Sequence, residues 1–227
     1  MQALEARIHQ AVEQSGRKRS DVVVVAVSKK FSAERVREAY GAGLREFGEN
    51  YVQEFAAKRP HLENLRGARF HLIGHLQSNK AGQACELFQV IQTGDSVKLL
   101  ERLDRAAGER GVQTEVLLEI KLSDEENKSG ADARSLPELM KTAASCGNLR
   151  VTGLMTMPPW STDGEQSRPY FKRLAQLGRE YGLAKLSMGM SNDFEAAIEE
   201  GATLIRVGTA LFGPRPKAQP RATMLAS

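Results

Sequence analysis

Short apolar runs alternate with amphipathic stretches along the whole chain. The runs are VVVVAVS (22–28), LREFGE (44–49), RFHLIG (69–74), FQVIQTG (88–94), TEVLLEI (114–120), RVTGLMT (150–156), KLSMGM (185–190) and TLIRVG (203–208). β-Branched side chains favour strands, and an apolar run without alternation, as in the first, suits a strand covered on both faces. Between the runs lie stretches such as SAERVREAYGAG (32–43), VKLLERLDRAAGERG (97–111), SLPELMKTAASCG (135–147), QSRPYFKRLAQLGREYG (166–182) and NDFEAAIEEG (192–201). These have helical spacing, and several end in glycine, as helix C-termini often do. Ser191 or Asn192 is placed to cap the helix that opens at DFEAAIEEG.

Eight strand–helix units in a chain of 227 residues predict a single (β/α)8 TIM barrel. An extra amphipathic helix precedes it, in MQALEARIHQAVEQSGRKRS. A doubly wound open sheet is the alternative, but it usually shows a GxGxxG turn after its first strand, and none is present. No linker or composition shift divides the chain before PRPKAQPR (214–221). The expectation is one barrel domain over residues 1–215, with a flexible tail over 216–227.

Composition removes several function classes. No run approaches the roughly 20 apolar residues of a membrane span. The N-terminus has no apolar signal core, so a cytoplasmic protein is expected. Net charge is +4, part of it in the proline-rich tail, and only 6% of residues are aromatic. A nucleic-acid surface would need a basic face with interleaved aromatics, and no recognition motif is visible. Cys85 and Cys146 have no CxxC partner and fit small buried thiols. His71 and His75 are four apart, but HLIGH is not HExxH, and no metal site is expected.

In a barrel of this kind, active sites form at the C-terminal strand ends. The residues there are Ser28, Lys29, Glu49, Asn50, His75, Asp95, Met155, Ser191, Arg206, Gly208 and Thr209. Lys29 ends the first, valine-rich strand. It is either a solvated strand-end residue or an amine placed for chemistry. The loops after strands seven and eight commonly bind phosphate in barrels. Here Gly208 would admit an anion to the backbone, while Ser191 and Thr209 offer hydroxyls. Two ordinary turns with a serine cap would look the same. Arg206, inside the apolar run TLIRVG, must pair with an acid or face a ligand. A lysine amine, a phosphate cradle and an inward arginine together match the needs of pyridoxal 5′-phosphate (PLP).

The pieces AVSK (26–29), FGENYVQE (47–54), HLIGHLQSNK (71–80), NKSG (127–130), GLMTM (153–157), LSMGMSNDFEAAIEEGA (186–202) and RVGTALFG (206–213) run in order through most of the chain. On these the sequence resembles the pyridoxal phosphate homeostasis protein family. The resemblance implies a monomeric barrel of PLP fold-type III, the alanine racemase N-terminal domain kind. It implies PLP as cofactor, held as a Schiff base on Lys29. Ser191, Gly208 and Thr209 would hold the phosphate, and Arg206 would face the pyridine nitrogen. Asn50 and His75 would line the other side, with Met190 and Met155 packing near the ring. Lys30 stands where the family often has threonine, and strand alternation turns it away from the mouth. Asn192 stands where aspartate is frequent and can cap a helix as well.

An arginine at the pyridine nitrogen cannot accept its proton, so the nitrogen stays neutral and carbanion chemistry is weakened. Racemases of the related fold add a tyrosine base from a second domain, and no such domain is expected after FGPRP. Of Tyr40, Tyr51, Tyr170 and Tyr181, the last two fall on a predicted helix away from the mouth. The expected function is to hold and deliver PLP in vitamin B6 and amino-acid homeostasis, without substantial turnover, with apo PLP-dependent enzymes as recipients. A low-activity PLP-dependent amino-acid racemase is the alternative. A barrel acting on a phosphorylated sugar through a catalytic lysine is the third reading.

Overall fold

The computed structural model describes residues 1–123, 125 and 129–213. The tail expected over 216–227, the domain boundary at 215, and the first two residues of NKSG lie outside the described residues.

All eight expected strands are present. They are β1 (Val23–Val27), β2 (Glu46–Glu49), β3 (Arg69–Leu72), β4 (Val90–Gly94), β5 (Thr114–Lys121), β7 (Leu149–Met155), β8 (Lys185–Ser187) and β9 (Leu204–Val207), with a two-residue β6 (Ala131–Asp132) beside β5. Each barrel strand pairs in parallel with the next, β4 with β5, β5 with β7, and β9 with β1. The ring is closed, which removes the sheet edges. The helices are α1 (Gln2–Gln14), α2 (Ala33–Gly41), α3 (Val52–Lys58), α4 (Ala81–Leu87), α5 (Val97–Glu109), α6 (Leu136–Ser145), α7 (Arg168–Glu180), α8 (Phe194–Glu199) and α9 (Thr209–Phe212). Among the described residues, no helix is long and apolar enough to cross a membrane.

Side-chain alternation sorts the core into two parts. Val24, Ala26, Phe47, Leu72, Ile91, Val116, Leu118 and Ile205 join the helices in one large cluster outside the ring. Val25, Val90, Leu117, Met155 and Leu204 pack as a small cluster within it. The rest of the interior is polar. Gln92 on β4 bonds Ser187 on β8, two strands that are not neighbours, so both point inward. A register irregularity between Ile91 and Gly94 marks a bulge in β4 at this point.

The N-terminal end of the barrel is closed by ions. Glu115, 3% exposed, accepts from Arg69 at 2.8 Å, Arg150 at 3.0 Å and Thr152 at 2.9 Å, and from Lys185. Burial pushes the Glu115 carboxyl up, but Lys185, Thr152 and Arg69 outweigh it and hold the pKa at about 2.

The extra helix α1 lies on α8. Arg7 pairs with Glu195 at 2.6 Å, and Arg17 donates to the carbonyls of Ile198 and Ala202, each at 2.8 Å. It therefore buttresses the element that follows the SMGMSN turn.

Candidate functional site

A cavity of about 240 Å³ opens at the C-terminal ends of the strands. Lys29, Asn50, Met190, Ser191, Arg206, Gly208 and Thr209 all line it. Seven of the eight residues expected at a cofactor site thus border one space, contributed by the loops after β1, β2, β8 and β9 and by β9 itself. His75 does not join them. It is 56% exposed and lies 3.5 Å from Asp95, in a separate open cleft with Ser96 and Lys98. Gly74, next to His75 in the chain, packs against the backbone of Asn50: a Cβ there would come within 2.4 Å of the Asn50 carbonyl oxygen. Met155 is fully buried within the barrel and does not line the cavity.

Lys29 follows β1 in a turn clamped on both sides. Ser28 donates to Glu49 Oε1 at 2.7 Å, and its carbonyl accepts from Lys58 Nζ at 3.0 Å. Lys58 Nζ also meets Glu49 Oε1 at 2.7 Å. The Lys30 amide donates to Glu54 at 2.5 Å, and Lys30 takes φ +65°. Lys30 is exposed and does not line the cavity. The cause is this left-handed turn, since β1 ends at Val27, and not the strand alternation expected from sequence.

The opposite wall is built by the turn after β8. Gly189 has φ +90°, and a Cβ there would lie 2.5 Å from the Ala197 Cβ. Its carbonyl accepts the Arg206 amide at 2.9 Å. The capping residue of α8 is Asp193, not Ser191 or Asn192. Its carboxylate accepts from the Met190 amide at 2.6 Å and from Ser167 Oγ at 2.9 Å. This leaves Ser191 Oγ within 3.4 Å of the Ala210 amide, at the start of α9, with Gly208 and Thr209 alongside.

Arg206 is 3% exposed. Its Nη1 donates to Ser187 Oγ at 2.7 Å, and its Nη2 to the Thr156 carbonyl at 2.8 Å. Burial draws its pKa down to about 10 against the pull of Asp193 and Glu119. It remains a cation at neutral pH. Glu119, 1% exposed, has no hydrogen-bond partner on either carboxylate oxygen among the described residues. Burial, followed by Asp95, raises its pKa to about 7, with Arg206 opposing.

The donor set fits a flat, anionic, carbonyl-bearing ligand. Asn50 Oδ1 is buried without a partner among the described residues and can accept from such a ligand. Ser191, Thr209 and the first amides of α9 can donate to an anion. The cavity volume lies just below the roughly 300 Å³ where small-molecule sites begin. Sequence reasoning passed over Ser187, Thr156 and Asp193 as parts of the site. Ser187 and Asp193 carry a signal in retrospect: Ser187 is two residues before Gly189 on an inward-facing register, and Asp193 is the only acid in the turn. Thr156 acts through its carbonyl, for which residue identity gives no cue.

The alanine racemase N-terminal domain family model matches residues 1–216. A pyridoxal phosphate homeostasis protein of Pseudomonas aeruginosa is 42% identical over 217 residues, 95% of this chain and 94% of its own. One of Aquifex aeolicus is 40% identical over 215 residues, covering 92% and 94%. The solved structure of PipY from Synechococcus elongatus with PLP bound superposes with a TM-score of 0.80 at 39% identity, over 91% of this chain and all of that one.

Proposed function

The chain belongs to the pyridoxal phosphate homeostasis protein family, with an alanine racemase N-terminal domain fold, and from that premise we propose that it binds PLP and holds it for delivery with little turnover. The observation that carries this is the shared cavity of Lys29, Arg206, Ser191, Gly208 and Thr209. The cofactor would supply an aldehyde that condenses reversibly with an amine and a ring able to withdraw electrons.

Each residue then has a role set by its position. Lys29 would present its amine from a turn whose backbone is clamped on both sides, so the point from which its side chain reaches the cavity is fixed. Ser191, Thr209 and the start of α9 would hold the phosphate through hydroxyls and amides. Arg206 would face the pyridine nitrogen and, unable to accept a proton from it, would leave that nitrogen neutral. Asn50 offers its amide oxygen to the ring substituents. Gly208 and Met190 bound the remaining walls.

Weak turnover follows from what else faces the cavity. Among the described residues, the titratable side chains lining it are Lys29, Asp193 and Arg206. Both carboxylate oxygens of Asp193 are engaged by Met190 and Ser167. A second base opposite the Lys29 amine is therefore not offered, which disfavours racemisation. The cavity opens to solvent, so small amines can reach and release the cofactor. Apo PLP-dependent enzymes would be the recipients.

The experiment uses purified protein loaded with PLP. A visible absorbance band should move to shorter wavelength with borohydride, leaving an adduct on the Lys29 peptide. Lys29→Ala should lose the band and Lys30→Ala should keep it. The loaded protein should restore activity to an apo-enzyme while racemising alanine only at background. Racemisation at about 1–10³ s⁻¹ that vanishes in Lys29→Ala would replace the carrier reading with the racemase one.

A further inference from the structure

Buried polar groups are expected to be partnered. Inside this barrel four of them, with the half-buried Glu46, form one line from the cavity to the opposite end. Arg206 Nη1 donates to Ser187 Oγ at 2.7 Å. Ser187 Oγ meets Gln92 Oε1 at 2.6 Å. Gln92 Nε2 meets His71 Nδ1 at 2.8 Å. His71 Nε2 meets Glu46 Oε2 at 2.5 Å. Ser187, Gln92 and His71 are at most 1% exposed, while the Glu46 side chain reaches 20% near the ion cluster of Arg69.

The polarity of this line is determined by its first member. A guanidinium only donates, so Ser187 Oγ accepts and its hydrogen goes to Gln92 Oε1. That orients the amide with Nε2 toward His71. His71 Nδ1 must then accept, with its proton on Nε2 facing the Glu46 carboxylate. A reversed amide would leave the Ser187 hydrogen without an acceptor. Every hydrogen points away from the cavity, and such chains strengthen cooperatively. At the cavity end, the second anchor of Arg206 is the Thr156 carbonyl at 2.8 Å. A guanidinium held at both Nη atoms has one plane available to it.

We propose that Ser187, Gln92 and His71 are positioning residues that hold the Arg206 guanidinium in one plane at the cavity and anchor it to Glu46 across the barrel. That this plane serves a pyridine ring rests on the cofactor reading above; the anchoring does not.

Full-length protein labelled with ¹⁵N tests the anchoring without ligand. The Arg206 guanidinium signals, assigned by their loss in Arg206→Lys, should be resolved in the wild type. They should merge by faster rotation in Ser187→Ala and in Gln92→Leu. Ser187→Thr, which keeps the hydroxyl, should retain them, as should Leu117→Val, a packing change in the same interior. Resolved signals in folded Ser187→Ala and Gln92→Leu would overturn the proposal. With PLP bound, Ser187→Ala should shift the cofactor band and weaken retention on the order of threefold to tenfold, the worth of one hydrogen bond. In an Arg206→Lys background the same change should add nothing. A fully additive loss would show that Ser187 acts by another route and overturn the relay. If Arg206→Lys alone left band and retention unchanged, the ring-facing role of Arg206 would fall, and the ligand-free spectra would still decide the anchoring.

Discussion

At the scale of single residues, the phosphate cradle is the most exposed part of the functional reading. Ser191 and Thr209 are small, lie at the cavity mouth and carry little packing, so their alanine variants should fold normally. Each charge-assisted hydrogen bond removed should weaken PLP retention by roughly ten- to a hundredfold, from about 1.5–3 kcal/mol. Pyridoxal without its phosphate should bind poorly to the wild type and be indifferent to both changes. Equal affinity for pyridoxal and PLP would remove the cradle. That Lys29, Ser191, Arg206, Gly208 and Thr209 border one cavity was legible in sequence because each lies at a strand end, where a barrel gathers residues. His75 lines a separate cleft instead, because the same rule takes no account of how far a loop travels after its strand. Lys58 gave no signal at all: a lysine at the end of an ordinary helix reads as solvated, and only the tertiary packing shows it 8% exposed.

That lysine belongs to the element scale, where α3, β2 and the turn after β1 are joined by one buried ion cluster. Glu49 is fully buried, and burial raises its pKa while Lys58 opposes the rise. Removing one member of a buried pair strands the other, at a cost of about 3–5 kcal/mol. Lys58→Met should therefore destabilise strongly in urea unfolding. Combining it with Glu49→Gln should recover much of the loss, because the stranded charge is then gone. Additive losses in that cycle would mean that Lys58 and Glu49 are not coupled. The clamp also shows why elements were easier to read than their ends. Apolar runs located all eight strands, since burial on both faces demands them. Strand limits are set by hydrogen bonds that no run encodes: β1 stops at Val27 and the chain turns left-handed at Lys30, whereas KLSMGM loses its last three residues to the Gly189 turn. The polar interior was likewise invisible, because His71, Gln92 and Ser187 interrupt their runs singly and look like tolerated exceptions.

For the whole molecule, the two buried glutamates on β5 give the fold opposite responses to pH. Glu115 has its carboxyl held at about 2 in the folded state, below the ordinary 4.5. Its contribution is present above pH 4.5 and is lost as pH falls toward 2. Glu119 is raised to about 7 from the same 4.5. Between those values the unfolded chain has released a proton that the native state keeps. Stability from this group is therefore full below pH 4.5 and declines as pH rises toward 7. Each displacement corresponds to on the order of 3 kcal/mol. The two windows adjoin without overlapping, so their sum favours mildly acidic conditions. Glu119→Gln keeps the size and removes the titration. Its unfolding free energy in urea should change less between pH 5 and pH 8 than that of the wild type, with the variant gaining at pH 8 by a few kcal/mol. A wild-type slope persisting in Glu119→Gln would show that Glu119 ionises normally in the folded barrel and that its carboxylate has a partner. Because Arg206 is the cation that opposes the shift, a folded Arg206→Lys variant with a less intimate charge should move the wild-type decline to higher pH, and Glu119→Gln should abolish that displacement too.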